Sequence, residues 1–233
     1  MRIDGRGLID RSKDLAFTFD GQWYRGHPGD TLAAALLAID VRLVARSFKY
    51  HRPRGIFGAG SEEPNALVTV GRDGRTSPNT RATVQELYEG LTARSQNCWP
   101  YLDRDLMAVN DLAAPFLSAG FYYKTFMWPR SFWEKLYEPV IRRAAGLGAL
   151  SGAPDGDLYD KAFAHCDLLV IGSGPTGLMS ALTAGRAGAD VILAEDEARL
   201  GGRLLAEDEA VDGMSGPAWV AKVRAGLDAL PNV

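Results

Sequence analysis

Cysteine is nearly absent from this chain of 233 residues; Cys98 and Cys166 are the two present. Two thiols exclude a disulfide scaffold and are too few for a four-thiolate cluster. Such sparse use fits a reduced, cytoplasmic compartment. Histidine is almost as scarce, and His27, His51 and His165 stand at no metal-ligand spacing. Long apolar runs are missing too. The longest, Leu32 to Ile39, falls far short of the roughly 20 residues of a membrane span. The opening Met1-Arg2-Ile3-Asp4-Gly5 leads into no apolar segment of the secretory kind. Neither sign of charge dominates: 26 Lys and Arg against 29 Asp and Glu leave a net charge of −3, which excludes a strongly basic nucleic-acid binder. With 46% hydrophobic and 24% charged residues, a disordered chain is excluded as well. The expectation is a soluble protein with no nucleic-acid or membrane partner, in one large domain or two small ones.

Local signals divide the chain into three. Leu15 to Phe19 alternates, Asp20-Gly21 turns, and Gln22 to Arg25 returns, which predicts a hairpin. Asp30 or Thr31 is placed to cap a buried helix over Leu32 to Asp40. Arg46 to Pro64 reads as a long loop, Ala66 to Val70 as a strand, Arg72 to Arg75 as a turn, and Thr80 to Val84 as a further strand. Together these predict a small α+β domain over residues 1–95. Residues 96–164 form an aromatic-rich connecting segment holding Trp99, Phe116, Phe121, Tyr122, Tyr123, Phe126, Trp128, Phe132 and Trp133. One good helix is expected there, Ser131 to Ala145, ended by Gly146-Leu147-Gly148 and followed by a linker at Ser151 to Gly156.

Residues 165–233 begin as a strand–helix–strand unit. Asp167 to Ile171 is a buried strand, Gly172-Ser173-Gly174-Pro175-Thr176-Gly177 follows at once, Leu178 to Ala187 is helical, and Asp190 to Ala194 is a second strand. In that setting the Gly-x-Gly-x-x-Gly pattern is a strong dinucleotide signal. Gly172 permits the tight turn, Gly174 lets backbone approach a pyrophosphate, and Gly177 lets helix pack on strand. The helix N-terminus, with Pro175 and Thr176 in its first turn, offers free N–H groups to phosphate. An acid closing the second strand suits a ribose 2′-OH and repels a 2′-phosphate. Glu195 lies 23 positions after Gly172, with Asp196 next in line and Glu197 beside it. Leu200-Gly201-Gly202-Arg203 adds a second close backbone approach and a guanidinium for phosphate or carboxylate. These residues suit NAD and FAD alike.

Other features carry less. Arg46, Lys49, His51, Arg52 and Arg54, with Phe48 and Tyr50, form a basic loop whose expected use is against an acidic neighbour or subunit. Cys98 and Cys166 read as ordinary core or near-core thiols. No paired carboxylates or Ser-His-Asp arrangement stands out, so no catalytic residue and no metal ligand is assigned.

Several strings taken together resemble one family. Ser47 to Phe57 (SFKYHRPRGIF), Glu63 to Val68 (EPNALV), Gly120 to Pro129 (GFYYKTFMWP) and the dinucleotide fingerprint resemble the α subunit of heterotetrameric sarcosine oxidases over nearly the whole chain. The resemblance implies a ferredoxin-like β-grasp domain, then the start of a Rossmann-like two-dinucleotide-binding domain: α+β followed by α/β. It implies oxidation of sarcosine to glycine, with formaldehyde or methylenetetrahydrofolate and hydrogen peroxide as the other products. It also implies NAD in this subunit, FAD and FMN in the complete complex, and β, γ and δ partner subunits. Because Arg46 to Pro64 contains no cysteine, no Fe–S cluster is expected in the first domain. The third segment is short for its type, so the chain reads as an N-terminal fragment, inactive alone. The alternatives are the α subunit of a related amine dehydrogenase acting on glycine, proline or an opine, and a non-catalytic nucleotide-binding assembly module.

Overall fold

The structure is a computed structural model, and it describes residues 2–3, 9–115, 117, 119–120, 126, 128–205 and 207–233. Phe116, Phe121, Tyr122, Tyr123, most of the Gly120–Pro129 string, and Met1, Asp4 and Gly5 lie outside the described residues. Two compact units form, Met1–Asp157 and Leu158–Val233. No helix among the described residues is long and apolar enough to cross a membrane.

The first unit is built on a hairpin. Strands β1 (Leu15–Phe19) and β2 (Gln22–Gly26) pair antiparallel, with Phe19 opposite Gln22. Asp20 and Gly21 take φ of 48° and 79°, the left-handed pair that a two-residue turn between twisted strands requires. Helix α1 (Leu32–Ala38) starts at Thr31, whose side chain accepts from the Ala34 N–H at 3.2 Å. The predicted helix ran two residues further, to Asp40. That residue instead takes φ of 66°, ending the turn. Asp30, the other candidate cap, is buried and takes a two-pronged contact from Arg2 at 2.5 and 2.6 Å.

The stretch read as a loop carries a short ladder, β3 (Ala45–Arg46) against β4 (Pro53–Arg54). Next come β5 (Leu67–Val70), β6 (Ser77–Arg81) and β7 (Thr92–Ser95). The main sheet has the order β2-β1-β7-β5-β6, with β1 and β7 parallel and the other pairs antiparallel. β6 sits three residues earlier than Thr80 to Val84 predicted. It is an edge strand, where Pro78 removes no ladder bond that the sheet needs. Central β7 was missed altogether. Thr-Ala-Arg-Ser has no large apolar side chain, and Ala93 is its one buried residue. Phe17, Phe19, Leu32, Leu36, Val44, Val68 and Leu91 fill the core between sheet and α1.

The later part of this unit is irregular. A 3-10 segment runs over Leu106–Ala113, and a wide turn at Trp133–Tyr137 leads into α2 (Glu138–Ala144), where Pro139 takes an N-terminal position. Gly146, φ 71°, closes it.

In the second unit, β8 (Leu168–Ile171) pairs in parallel with β9 (Val191–Ala194) through α3 (Pro175–Arg186). Helix α4 (Gly216–Asp228) packs on α3, and Leu178, Leu182, Trp219, Val223 and Leu227 make a second core. Cys166 differs from its reading as a near-core thiol: it is exposed, preceding β8. Cys98 is half-buried, and burial pushes its thiol up.

Candidate dinucleotide site

The site is a turn between a strand and a helix. Gly172 leaves β8 with φ of 96°, a conformation open to glycine without strain. A Cβ at Gly177 would strike the Gly172 carbonyl oxygen, so a side chain there would force the helix off the strand. At Gly174 the situation is opposite: nothing lies within 4 Å of where a Cβ would stand. Gly174 is also the N-cap of α3, and the helical ladder opens with Leu178 N–H donating to its carbonyl at 2.9 Å. Pro175 has no N–H to give. The first-turn N–H groups of exposed Thr176 and of Gly177 precede that ladder, at the positive end of the helix dipole.

Sequence reasoning passed over the residue that ties the site together. Ser173, between the first two glycines, is fully buried. Its N–H and hydroxyl both donate to one carboxylate oxygen of Glu195, at 2.6 and 2.5 Å. Its carbonyl accepts from Gly201 N–H at 3.0 Å. One serine thus joins the glycine turn, the acid closing β9, and the Gly201-Gly202 turn. The signal available was a small hydroxyl residue inside a glycine pattern, which spacing rules treat as filler.

Glu195 uses its second oxygen for the N–H groups of Asp196 at 2.9 Å and Glu197 at 3.1 Å. Burial pushes its carboxyl up, but the Ser173 hydroxyl and the backbone donors outweigh that and hold it at about 2. Both oxygens are therefore committed to the protein. Asp196 and Glu197 are exposed beside it. Burial, then the charges of Glu195 and Asp196, raises Glu197. Gly201 and Gly202 have φ of 126° and 50°, and a Cβ on Gly202 would come within 3.2 Å of Gly174 Cα. The second glycine pair is thus packed against the first. Arg203, expected to reach phosphate or carboxylate, is exposed and paired with Glu207 at 3.1 Å.

The chain is 62% identical over 232 residues to sarcosine oxidase subunit alpha of Rhizobium meliloti (strain 1021), covering all of this chain and 24% of that protein. The subunits alpha of Corynebacterium sp. strains P-1 and U-96 are 34% and 33% identical over 95% of this chain and 18% of theirs. Similarity to sarcosine oxidase α subunits runs the length of the chain. The chain spans about a quarter or less of those relatives' length. Residues 167–219 match the family described as FAD dependent oxidoreductase, and residues 12–98 the family described as 2Fe-2S iron-sulfur cluster binding domain. L-proline dehydrogenase from P.horikoshii shares the fold, with a TM-score of 0.50 at 17% identity, over 97% of this chain and 33% of its own.

One expectation is corrected by these matches. The expectation of no Fe–S cluster came from a total of two cysteines and a cysteine-free Arg46–Pro64 loop, whereas residues 12–98 match a 2Fe-2S cluster binding domain. A loop's composition speaks of ligands and not of the kind of domain that carries it. The donor set itself does not fit the group. Cys98 is the one cysteine in that segment, where a cluster takes four such ligands. No group of three His, Cys, Asp or Glu placed for a metal occurs among the described residues. In the Arg46–Pro64 loop, buried Glu63 is the organising group. It accepts from the N–H groups of Phe57 (2.7 Å), Gly58, Asn65 (2.8 Å) and Ala66 (3.2 Å). Burial pushes Glu63 up, but these four donors outweigh it and hold the carboxyl below the usual range.

The basic part of that loop faces its own chain. Arg46 donates to the Leu102 carbonyl at 2.6 and 2.8 Å, Lys49 and Tyr50 to that of Leu117, and Arg52 pairs with Asp111 at 2.7 Å. Lys49 and Arg52 lie 4.7 and 4.8 Å from the Tyr50 ring centre. Among the described residues, the partners of Arg46, Lys49, Tyr50 and Arg52 thus include the Leu102 and Leu117 carbonyls and Asp111 of the same unit.

Proposed function

We propose that this chain is part of the α subunit of a hetero-oligomeric, sarcosine oxidase-type oxidoreductase, and that residues 172–203 hold the adenosine diphosphate half of a dinucleotide, NAD in the first instance. Whole-length similarity to sarcosine oxidase subunits alpha supports the first part. The second rests above all on Gly174, whose open front lies at a helix N-terminus. The strand–helix–strand unit is, in this reading, the opening of a Rossmann-like domain.

The roles follow from the contacts. Thr176 and Gly177 offer N–H groups to the pyrophosphate. Glu195, with both oxygens engaged, braces the turn through Ser173 and presents Asp196, which takes the ribose 2′-OH. Gly202 admits backbone beside Gly174, and Gly201 admits the packing of Val220 and Leu205 beneath it. Arg203 can leave Glu207 for a phosphate, since an exposed pair of this kind is worth about 1 kcal/mol or less. A bound nicotinamide or flavin supplies hydride transfer. In this reading amine oxidation belongs to partner subunits of β, γ and δ type, and residues 172–203 bind nucleotide without a catalytic side chain.

A second reading places FAD in the same pocket, favoured by the family matched at residues 167–219. Titration of NAD, NADP and FAD into the full-length subunit purified with its partners separates the two. Gly174→Val should abolish retention of whichever is bound; undiminished retention would contradict the site.

A further inference from the structure

The first unit buries an anion without a cation. Glu63 is 1% exposed, and no Lys, Arg or His pairs with its carboxylate among the described residues. Two pairs of successive backbone N–H groups meet it instead. Phe57, at 2.7 Å, and Gly58 donate to Oε2; Asn65, at 2.8 Å, and Ala66, at 3.2 Å, donate to Oε1. Successive N–H groups turned inward make an anion-binding concavity, the arrangement found at phosphate and Fe–S sites. The frame of this concavity does not depend on the carboxylate. Thr83 Oγ1 donates to the Gly60 carbonyl at 2.7 Å, Arg81 Nε to the Glu63 carbonyl at 3.1 Å, and Ala82 N–H to the Ala66 carbonyl at 2.9 Å. Every acceptor in that frame is a backbone atom, so a change of side chain at position 63 leaves the frame in place.

Residues 12–98 match a family of 2Fe-2S cluster binding domains, and the sulfurs of such a cluster accept hydrogen bonds from the chain around it. Here the inward N–H groups are present and a side chain accepts them. We propose that residues 57–66 form an anion nest for one carboxylate, and that the Glu63 side chain is its resident occupant, in the place that a cluster-type loop keeps for an external anion. The donor pattern sets the ligand class. Each oxygen takes one pair of donors, so a planar group with two acceptor oxygens fits. A carboxylate serves all four N–H groups, whereas the oxygen of a neutral amide serves two and its NH₂ faces the other two. Glu63→Ala removes the Cγ and the carboxylate, which are the heavy atoms of acetate. The vacated nest should therefore take acetate from solution. The inference uses no part of residues 172–203 and stands apart from the nucleotide reading.

The test is hydrogen exchange with mass spectrometry on the full-length protein with its partners, read in peptides that cover 57–58 and 65–66 separately. Glu63→Ala should lose protection in both peptides. Sodium acetate should return it in proportion to concentration, by about tenfold at about ten times the acetate dissociation constant. Sodium chloride at the same ionic strength, and neutral acetamide, should return little. Wild type, with its nest filled, should not respond to acetate. Glu63→Gln keeps the shape of the side chain and should lose protection in one peptide more than in the other. Equal protection in acetate and in chloride for Glu63→Ala, an equal response of wild type to acetate, or wild-type protection in both peptides of Glu63→Gln would each overturn the proposal. If Glu63→Ala does not fold, the Glu63→Gln result decides.

Discussion

Ser173 and Glu195, 22 residues apart, meet through two hydrogen bonds of 2.6 and 2.5 Å to one carboxylate oxygen. This contact fixes the glycine turn to the end of β9, so the two halves of the nucleotide signal are mechanically one. Ser173→Ala removes one of the two bonds and leaves the carboxylate in place. Nucleotide affinity should fall by about tenfold, from the loss of one bond to a charged acceptor. Ser173→Thr keeps the hydroxyl but adds a methyl to a fully buried position, and should fare no better. Unchanged affinity in Ser173→Ala would show that the contact does not organise the site.

The same contact has a pH dependence. Glu195 is held at about 2 in the fold, below its ordinary value of 4.5. A lowered carboxylate contributes stability that is present above the ordinary value and lost as pH falls toward the folded one. The amides of Ser173, Asp196 and Glu197 should therefore be less protected, relative to their intrinsic exchange rates, between about pH 4.5 and 2 than above that window, and Glu195→Gln should flatten the dependence. An exchange profile, corrected for intrinsic rates, that is the same in wild type and variant would contradict this.

Glu63 organises the Arg46–Pro64 loop in a comparable way, with four backbone donors on one buried carboxylate. Glu63→Ala strands those donors at a cost of about 3 kcal/mol or more, so exchange at Phe57, Gly58, Asn65 and Ala66 should rise by about a hundredfold. Glu63→Gln should recover part of the protection. The exposed pair of Arg52 and Asp111 offers the contrast, since Asp111→Asn should change stability by about 1 kcal/mol or less.

What was legible in the sequence follows physical rules. The hairpin was readable because Asp20-Gly21 is a chemical requirement of its turn. The unit from β8 to β9 was readable because Gly172 and Gly177 each meet a local steric demand. Strand β7 was not, since a central strand built of Thr92, Ala93, Arg94 and Ser95 owes its place to its neighbours β1 and β5 and not to its own side chains. The basic loop was half legible: Arg46, Lys49, His51 and Arg52 were visible, but Asp105, Asp111 and the carbonyls they meet lie some 50 to 70 positions on. In the site, the run Glu195-Asp196-Glu197 could be ranked for ribose binding by spacing alone. Which of them has oxygen atoms to spare depends on Ser173, and that is a property of the folded turn.

The most direct test of the account is calorimetric titration of NAD and NADP into the full-length subunit with its partners, comparing wild type with Asp196→Ala and Glu195→Ala. Loss of the ribose hydrogen bonds to Asp196 should weaken NAD by at least about tenfold and narrow the preference for NAD over NADP, because the carboxylate that repels a 2′-phosphate is gone. Glu195→Ala should weaken both nucleotides together. If NAD affinity and the NAD/NADP ratio stay unchanged in both variants, the assignment of residues 172–203 as an NAD site is contradicted.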